Sequence, residues 1–142
     1  MDVQKLLRNP RFRLDRDPAP NPVQVKQFQE HAPQNLPRTY LRFLESCSSA
    51  RGKIPYDTGY IEFFAAEAAL DQNQKHHVVE NLPGFFAFGW DGADELYVFD
   101  LRSEDGAPVC CVSTKSTRVT EVSRITNSFS EFLEGIVAMG TN

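Results

Sequence analysis

The sequence predicts an α+β domain: a central, mostly antiparallel sheet, made of a three-strand meander plus one or two further strands, packed with N-terminal and C-terminal helices. Three observations carry this. Residues 82–112, LPGFFAFGWDGADELYVFDLRSEDGAPVCCV, hold apolar runs at 85–89, 96–101 and 109–112, separated by turns containing Asp91-Gly92 and Asp105-Gly106. Glycine accepts positive φ and Asp bonds the local backbone, so Asp-Gly between apolar runs marks a hairpin. The elements come as helices, then strands, then a helix, unlike the strict alternation of a doubly wound fold. Finally, 96–101 is apolar on both alternating faces apart from Asp100, as expected of an interior strand covered on both sides.

In chain order, residues 1–21 read as an N-terminal arm and 22–142 as a single domain. Val3, Leu6 and Leu7 suit a short helix ending near Asn9-Pro10. Pro10, Pro18, Pro20 and Pro22 then keep the chain extended. Arg8, Arg11, Arg13 and Arg16 cluster there, and the segment reads as a solvated arm wrapping the domain rather than as a nucleic-acid contact. Asn21-Pro22 opens a helix over 22–31, with Val25, Phe28 and Ala32 on its inner face. Pro37 opens the next, where Leu36, Tyr40, Phe43, Leu44 and Cys47 form one stripe of 3.6-residue period. Ser46, Ser48, Ser49 and Gly52 close it. Residues 60–64 read as a strand, 65–74 as a short helix of good formers, and 117–125 as a polar, β-prone segment. In the last helix Ser128 and Glu131 form a capping box, Phe129, Phe132, Leu133, Ile136 and Val137 make the buried stripe, and Gly140 ends it.

At 142 residues the chain suits one domain able to bury a core without disulfides or a metal. Its apolar runs are far shorter than the ~20 residues that span a bilayer. The start, MDVQKLLRNPRF, lacks the apolar region of a signal peptide, so a cytoplasmic location is expected. The three cysteines are odd in number, and adjacent Cys110 and Cys111 point to opposite faces of a strand; all read as buried free thiols. Charge is segregated. Residues 1–60 carry ten Lys/Arg against six Asp/Glu, whereas 61–142 carry five against thirteen, a balance of −8. An acidic body argues against a nucleic-acid face and suits a basic protein partner.

No metal-binding, nucleotide-binding or nucleophile-elbow spacing exists, and His31, His76 and His77 show no partner at catalytic spacing. No catalytic, cofactor-binding or metal residue is therefore assigned. The acidic turn DGADE lacks the alternating ligands of a calcium loop. It reads as a solvated turn or as a partner-binding tip. Trp90, the only tryptophan, stands beside it and suits either core packing or an interface anchor. The candidate partner-binding residues are Trp90, Asp91, Asp94 and Glu95, with Glu104 and Asp105 in the second turn. Successive meander turns lie at opposite ends of a strand, roughly 20 Å apart, so only a broad protein interface would touch both. Asp100 reads as structural, accepting hydrogen bonds where its strand ends.

Taken in order, these pieces resemble the SUKH superfamily, which includes the Smi/Knr cell-wall synthesis regulators and many bacterial toxin-immunity proteins. Leu36-Pro37 with Tyr40-Leu41 and Phe43-Leu44 is similar to its LP-x-x-[YF]-x-x-[FL] helix. Pro83-Gly84, Phe88-Gly89 and Asp91-Gly92 resemble its Gly-ended strand and turn. The strand 96–101 with Asp100, Pro108-Val109, and Ser128-Phe129 through Phe132-Leu133 complete the match over about 22–137. It departs at CSSARGK, where the family carries an Asn-Gly-Gly type stop. The resemblance implies a non-enzymatic α+β domain that binds proteins. With the charge balance, the expectation is an immunity protein blocking a basic toxin domain of nuclease or deaminase type. The alternative is a regulator of cell-wall or envelope synthesis. No cofactor, nucleic acid or membrane partner is expected.

Overall fold

Seven strands form one antiparallel sheet whose spatial order follows chain order: β1 (Asp15–Arg16), β2 (Ala50–Lys53), β3 (Tyr60–Phe63), β4 (Phe85–Trp90), β5 (Glu95–Asp100), β6 (Val109–Ser113) and β7 (Ser123–Thr126). The structure is a computed structural model and describes residues 2–103, 106–115 and 118–140. Around the sheet run α1 (Val3–Leu7), α2 (Pro22–His31), α3 (Arg38–Ser46), α4 (Ala66–Lys75), α5 (Val78–Asn81) and α6 (Phe129–Met139). The α+β class and the β4–β5–β6 meander are as the sequence predicts. The sheet is wider than the four or five strands expected, because β1 and β2 extend it at one edge. Both are short and polar, so they carry no alternation to read; the backbone of the neighbouring strand sets their conformation.

Residues paired directly across strands share a face, which sorts the side chains. Phe63, Gly89, Tyr97 and Cys111 stand opposite one another from β3 to β6. That face packs on α3 and α6: Phe63 meets Phe43 at 4.6 Å between ring centroids, Phe99 meets Tyr40 at 5.0 Å, and Phe88 meets Phe129 at 5.5 Å. Phe88 is the extra residue of a bulge between Ala87 and Gly89, and it stacks on Phe99 at 4.5 Å. The stripes read from the sequence for α3 and α6 are these contacts. Leu96, Tyr97, Val98 and Phe99 are all buried, in keeping with the interior place of β5.

β3 ends at Phe63, so the first half of β4 has no strand on that side. α4 fills the gap. Asn73 Oδ1 accepts the Ala87 N–H at 2.8 Å, while Asn73 Nδ2 donates to the Ala87 carbonyl at 2.8 Å and to Ala69 O at 2.8 Å. One side-chain amide thus replaces the missing ladder bonds, and Asn73 is the buried polar side chain among the described residues.

The segment 1–21, expected as a solvated arm, is held more firmly. Val3, Leu7, Phe12 and Leu14 enter the core, and β1 pairs with β2. A Cβ on Gly140 would lie 2.3 Å from the Arg11 carbonyl oxygen, so glycine there lets the arm cross the end of α6. The Arg side chains could be read from sequence; the apolar residues alternating with them anchor the segment. Helix ends follow their caps. Asn21 accepts the Val23 N–H at 2.9 Å, and Ser128 accepts that of Glu131 at 3.1 Å. Glu131 reaches the Asn127 N–H at 3.0 Å, so the box closes one residue before the cap. The short α5, which the sequence reading did not contain, begins after His77 at φ 54°.

Candidate functional site

The turn joining β4 to β5 is built by one carboxylate. Asp91 Oδ1 accepts the N–H groups of Ala93, Asp94 and Glu95 at 2.9, 2.9 and 3.0 Å. Gly92 supplies the left-handed step at φ 83°. Burial pushes the Asp91 carboxyl up, but those backbone donors and the Thr58 hydroxyl outweigh it and hold it below the usual carboxylate range. Asp91 is therefore occupied in shaping the turn. Asp94 projects into solvent, while its carbonyl accepts the Thr114 N–H at 2.6 Å.

Glu95 is half-buried and meets a residue the sequence did not place there. The loop between β2 and β3 folds over the end of the sheet, anchored by Tyr56, which stacks on Phe132 at 4.8 Å and donates to its carbonyl at 3.1 Å. Asp57 follows at φ 48°, in the left-handed region. The donor atoms of Asp57, Glu95 and Cys111 lie within 4.8 Å of one another. Burial, the Asp57 charge and hydrogen bond, and then Asp91 and Asp94, push Glu95 up to about 7. The Asp57 carboxylate beside it thus favours the protonated form of Glu95. Burial and the same carboxylates push the Cys111 thiol up to about 12, so it must shed a tightly held proton before it can serve as a thiolate ligand. Tyr97 lies on the same face as Glu95, with its hydroxyl donating to Tyr60 O at 3.2 Å; burial pushes it up to about 12.

Trp90 belongs to the opposite face. It stands directly across from Glu62 on β3 and Leu96 on β5, half-buried, with the His76 ring 5.4 Å away. Its flank forms one wall of a groove of about 460 Å³ that runs along β2 and β3 to the start of α4. The turn thus brings Trp90, Asp91, Asp94 and Glu95 to one corner of the sheet. Glu104 and Asp105 lie outside the described residues. Asp57, Thr58 and Glu62 join this corner from loops and strands some thirty residues away; only the turn-forming run Asp57-Thr58-Gly59 hinted at a bend, and nothing in sequence said where it lands.

Asp100, Cys47, Cys110 and His31 are held within the fold. Asp100 accepts the Arg102 backbone N–H and, through both oxygens, its guanidinium, each at 3.0 Å. Arg102 thereby holds the Asp100 carboxyl below its ordinary range, as its place at the strand end suggested. Burial pushes Cys47 and Cys110 up to about 11, which leaves them protonated and poor nucleophiles near neutral pH. His31 Nδ1–H donates to Gln27 O at 2.9 Å, closing α2. No helix among the described residues is long and apolar enough to cross a membrane. A family model described as the SMI1/KNR4 family (SUKH-1) matches residues 19–135. No curated protein matches the chain.

Proposed function

The chain belongs to the SMI1/KNR4 family (SUKH-1), and from that premise we propose that it is a non-catalytic binding domain, an immunity protein that occludes a basic toxin domain. The observation that carries this is the corner at the β4–β5 turn. Asp91 preforms it by accepting three backbone N–H groups, so little ordering remains to oppose binding. Trp90 flanks it, Asp94 is exposed on it, and Glu95 and Asp57 add carboxyls behind it. The charge of −8 over residues 61–142 extends the same sign across the body of the domain. Such a field speeds encounter with a cationic surface, and a rigid aromatic supplies contact area once docked.

The test is affinity capture of the tagged protein from its own cells, with mass spectrometry of what co-purifies. Recovery of one basic toxin domain whose activity falls on binding supports the reading. Recovery of envelope-synthesis proteins without a toxin overturns it in favour of the regulator of cell-wall synthesis.

A further inference from the structure

Resting on the reading of this domain as a binder of a basic protein, we infer that the contact is made in the groove beside Trp90, which seats an arginine side chain of the partner between the indole and Glu62. The register sets the geometry. Arg51, Glu62 and Trp90 are direct cross-strand neighbours and share one sheet face. Arg51 is the expected counter-ion for Glu62, yet its guanidinium pairs with Asp17 at 2.8 Å, and the two line the groove as a neutralised pair. Glu62 keeps its carboxylate unpaired among the described residues, set against the turn so that a Cβ on Gly92 would lie 3.2 Å from its Oε1. The groove's other polar groups on the β2 side are occupied: Ser48 Oγ donates to Pro18 O and Ser49 Oγ to Phe63 O, both at 2.8 Å.

Across the groove, Glu67 in the first turn of α4 adds a second carboxylate without a partner among the described residues. An aromatic wall with two uncompensated carboxylates is complementary to a planar cation. Guanidinium can stack on the indole while its edge N–H groups donate to a carboxylate. The volume of about 460 Å³ accommodates one such side chain and its backbone. Since the turn carboxylate Asp91 is occupied within the fold, this groove is where unspent negative charge and exposed aromatic surface coincide.

Because Trp90 is the only tryptophan, its emission reports on the groove wall and the adjoining turn, and the two sets of variants separate them. The experiment titrates a capped hexa-arginine peptide into the full chain, following Trp90 emission and, in parallel, calorimetric heat. A capped hexaglutamate peptide serves as the control. The comparison proteins are the double variant Glu62→Gln with Glu67→Gln, and the turn variant Asp94→Asn. The expected result is a saturable change in Trp90 emission with hexa-arginine only, weakened about tenfold in the double variant and much less in the turn variant. Calorimetric binding that leaves Trp90 emission unaltered, or that survives the double variant and is lost with Asp94→Asn, overturns the groove while leaving a basic partner in place. Absence of any binding of hexa-arginine overturns the groove, while the reading of a basic partner stands or falls with the capture experiment.

Discussion

Asn73 shows how much one side chain can carry. It satisfies both backbone groups of Ala87 on an edge where no strand is available. Replacing it by Ala orphans a buried donor and a buried acceptor, and should cost about 2–4 kcal/mol, measured as a lower urea midpoint with an unchanged slope. Glu95 acts through a proton. Its ordinary value is 4.5, and burial beside Asp57 raises it to about 7 in the fold. Between those values the folded protein holds a proton that the unfolded chain has released, so this group's contribution falls as pH rises from 4.5 to about 7. Glu95→Gln should flatten that slope and stabilise the protein at pH above the transition, read by thermal melts at a series of pH values. Asp100 works in the opposite sense. Arg102 lowers its carboxyl below the ordinary 3.8, so its contribution is present above that value and lost on acidification through the folded one.

At the scale of elements, the β4–β5 hairpin is stable in its geometry because Asp91 is inside it. Asp91→Ala removes the acceptor of three N–H groups and should cost about 1–2 kcal/mol, visible as a drop in melting temperature and faster amide exchange at residues 93–95. The same substitution is thus a poor probe of charge at the corner, since a loss of binding would follow from the lost turn alone. The loop carrying Asp57 depends on Tyr56 and its seat on α6 rather than on any strand pairing. The N-terminal segment, which lies mostly outside the family match beginning at residue 19, is built into the fold by Val3, Leu7, Phe12 and Leu14.

For the whole molecule, the separation of charge along the chain has a kinetic consequence. Asp94 is exposed at the corner and its carboxylate holds no turn bond, so Asp94→Asn changes charge without changing the turn. With the captured basic partner, this variant should lower the association rate about two- to fivefold at low salt and flatten its salt dependence, with little change in dissociation. Stopped-flow measurements at two ionic strengths check this; equal salt slopes for variant and wild type would remove Asp94 from the interface.

What the sequence determined by itself is what short-range chemistry decides. The stripes of α3 and α6, the Asn21 and Ser128 caps, the strand apolar on both faces and the Asp-Gly turn all depend on residues within one or two turns of chain. Each therefore stands in the fold where its pattern placed it. β1 and β2 were not legible because their two- and four-residue runs are mostly polar, and only pairing, of β2 to β3 and of β1 to β2, makes them strands. The corner was half legible for the same reason. Trp90 to Glu95 come together because they are neighbours in sequence, whereas Asp57, Glu62 and the orientation of Arg51 arrive through sheet register and a loop anchored on α6. Tertiary structure alone decided that Asp91 is occupied, that burial beside Asp57 raises Glu95 to about 7 and that Glu62 lacks a counter-ion among the described residues. The physical reason is that a carboxylate's charge state and freedom to bind depend on which donors and charges lie within a few ångströms, and that distance is set by packing, not by spacing along the chain.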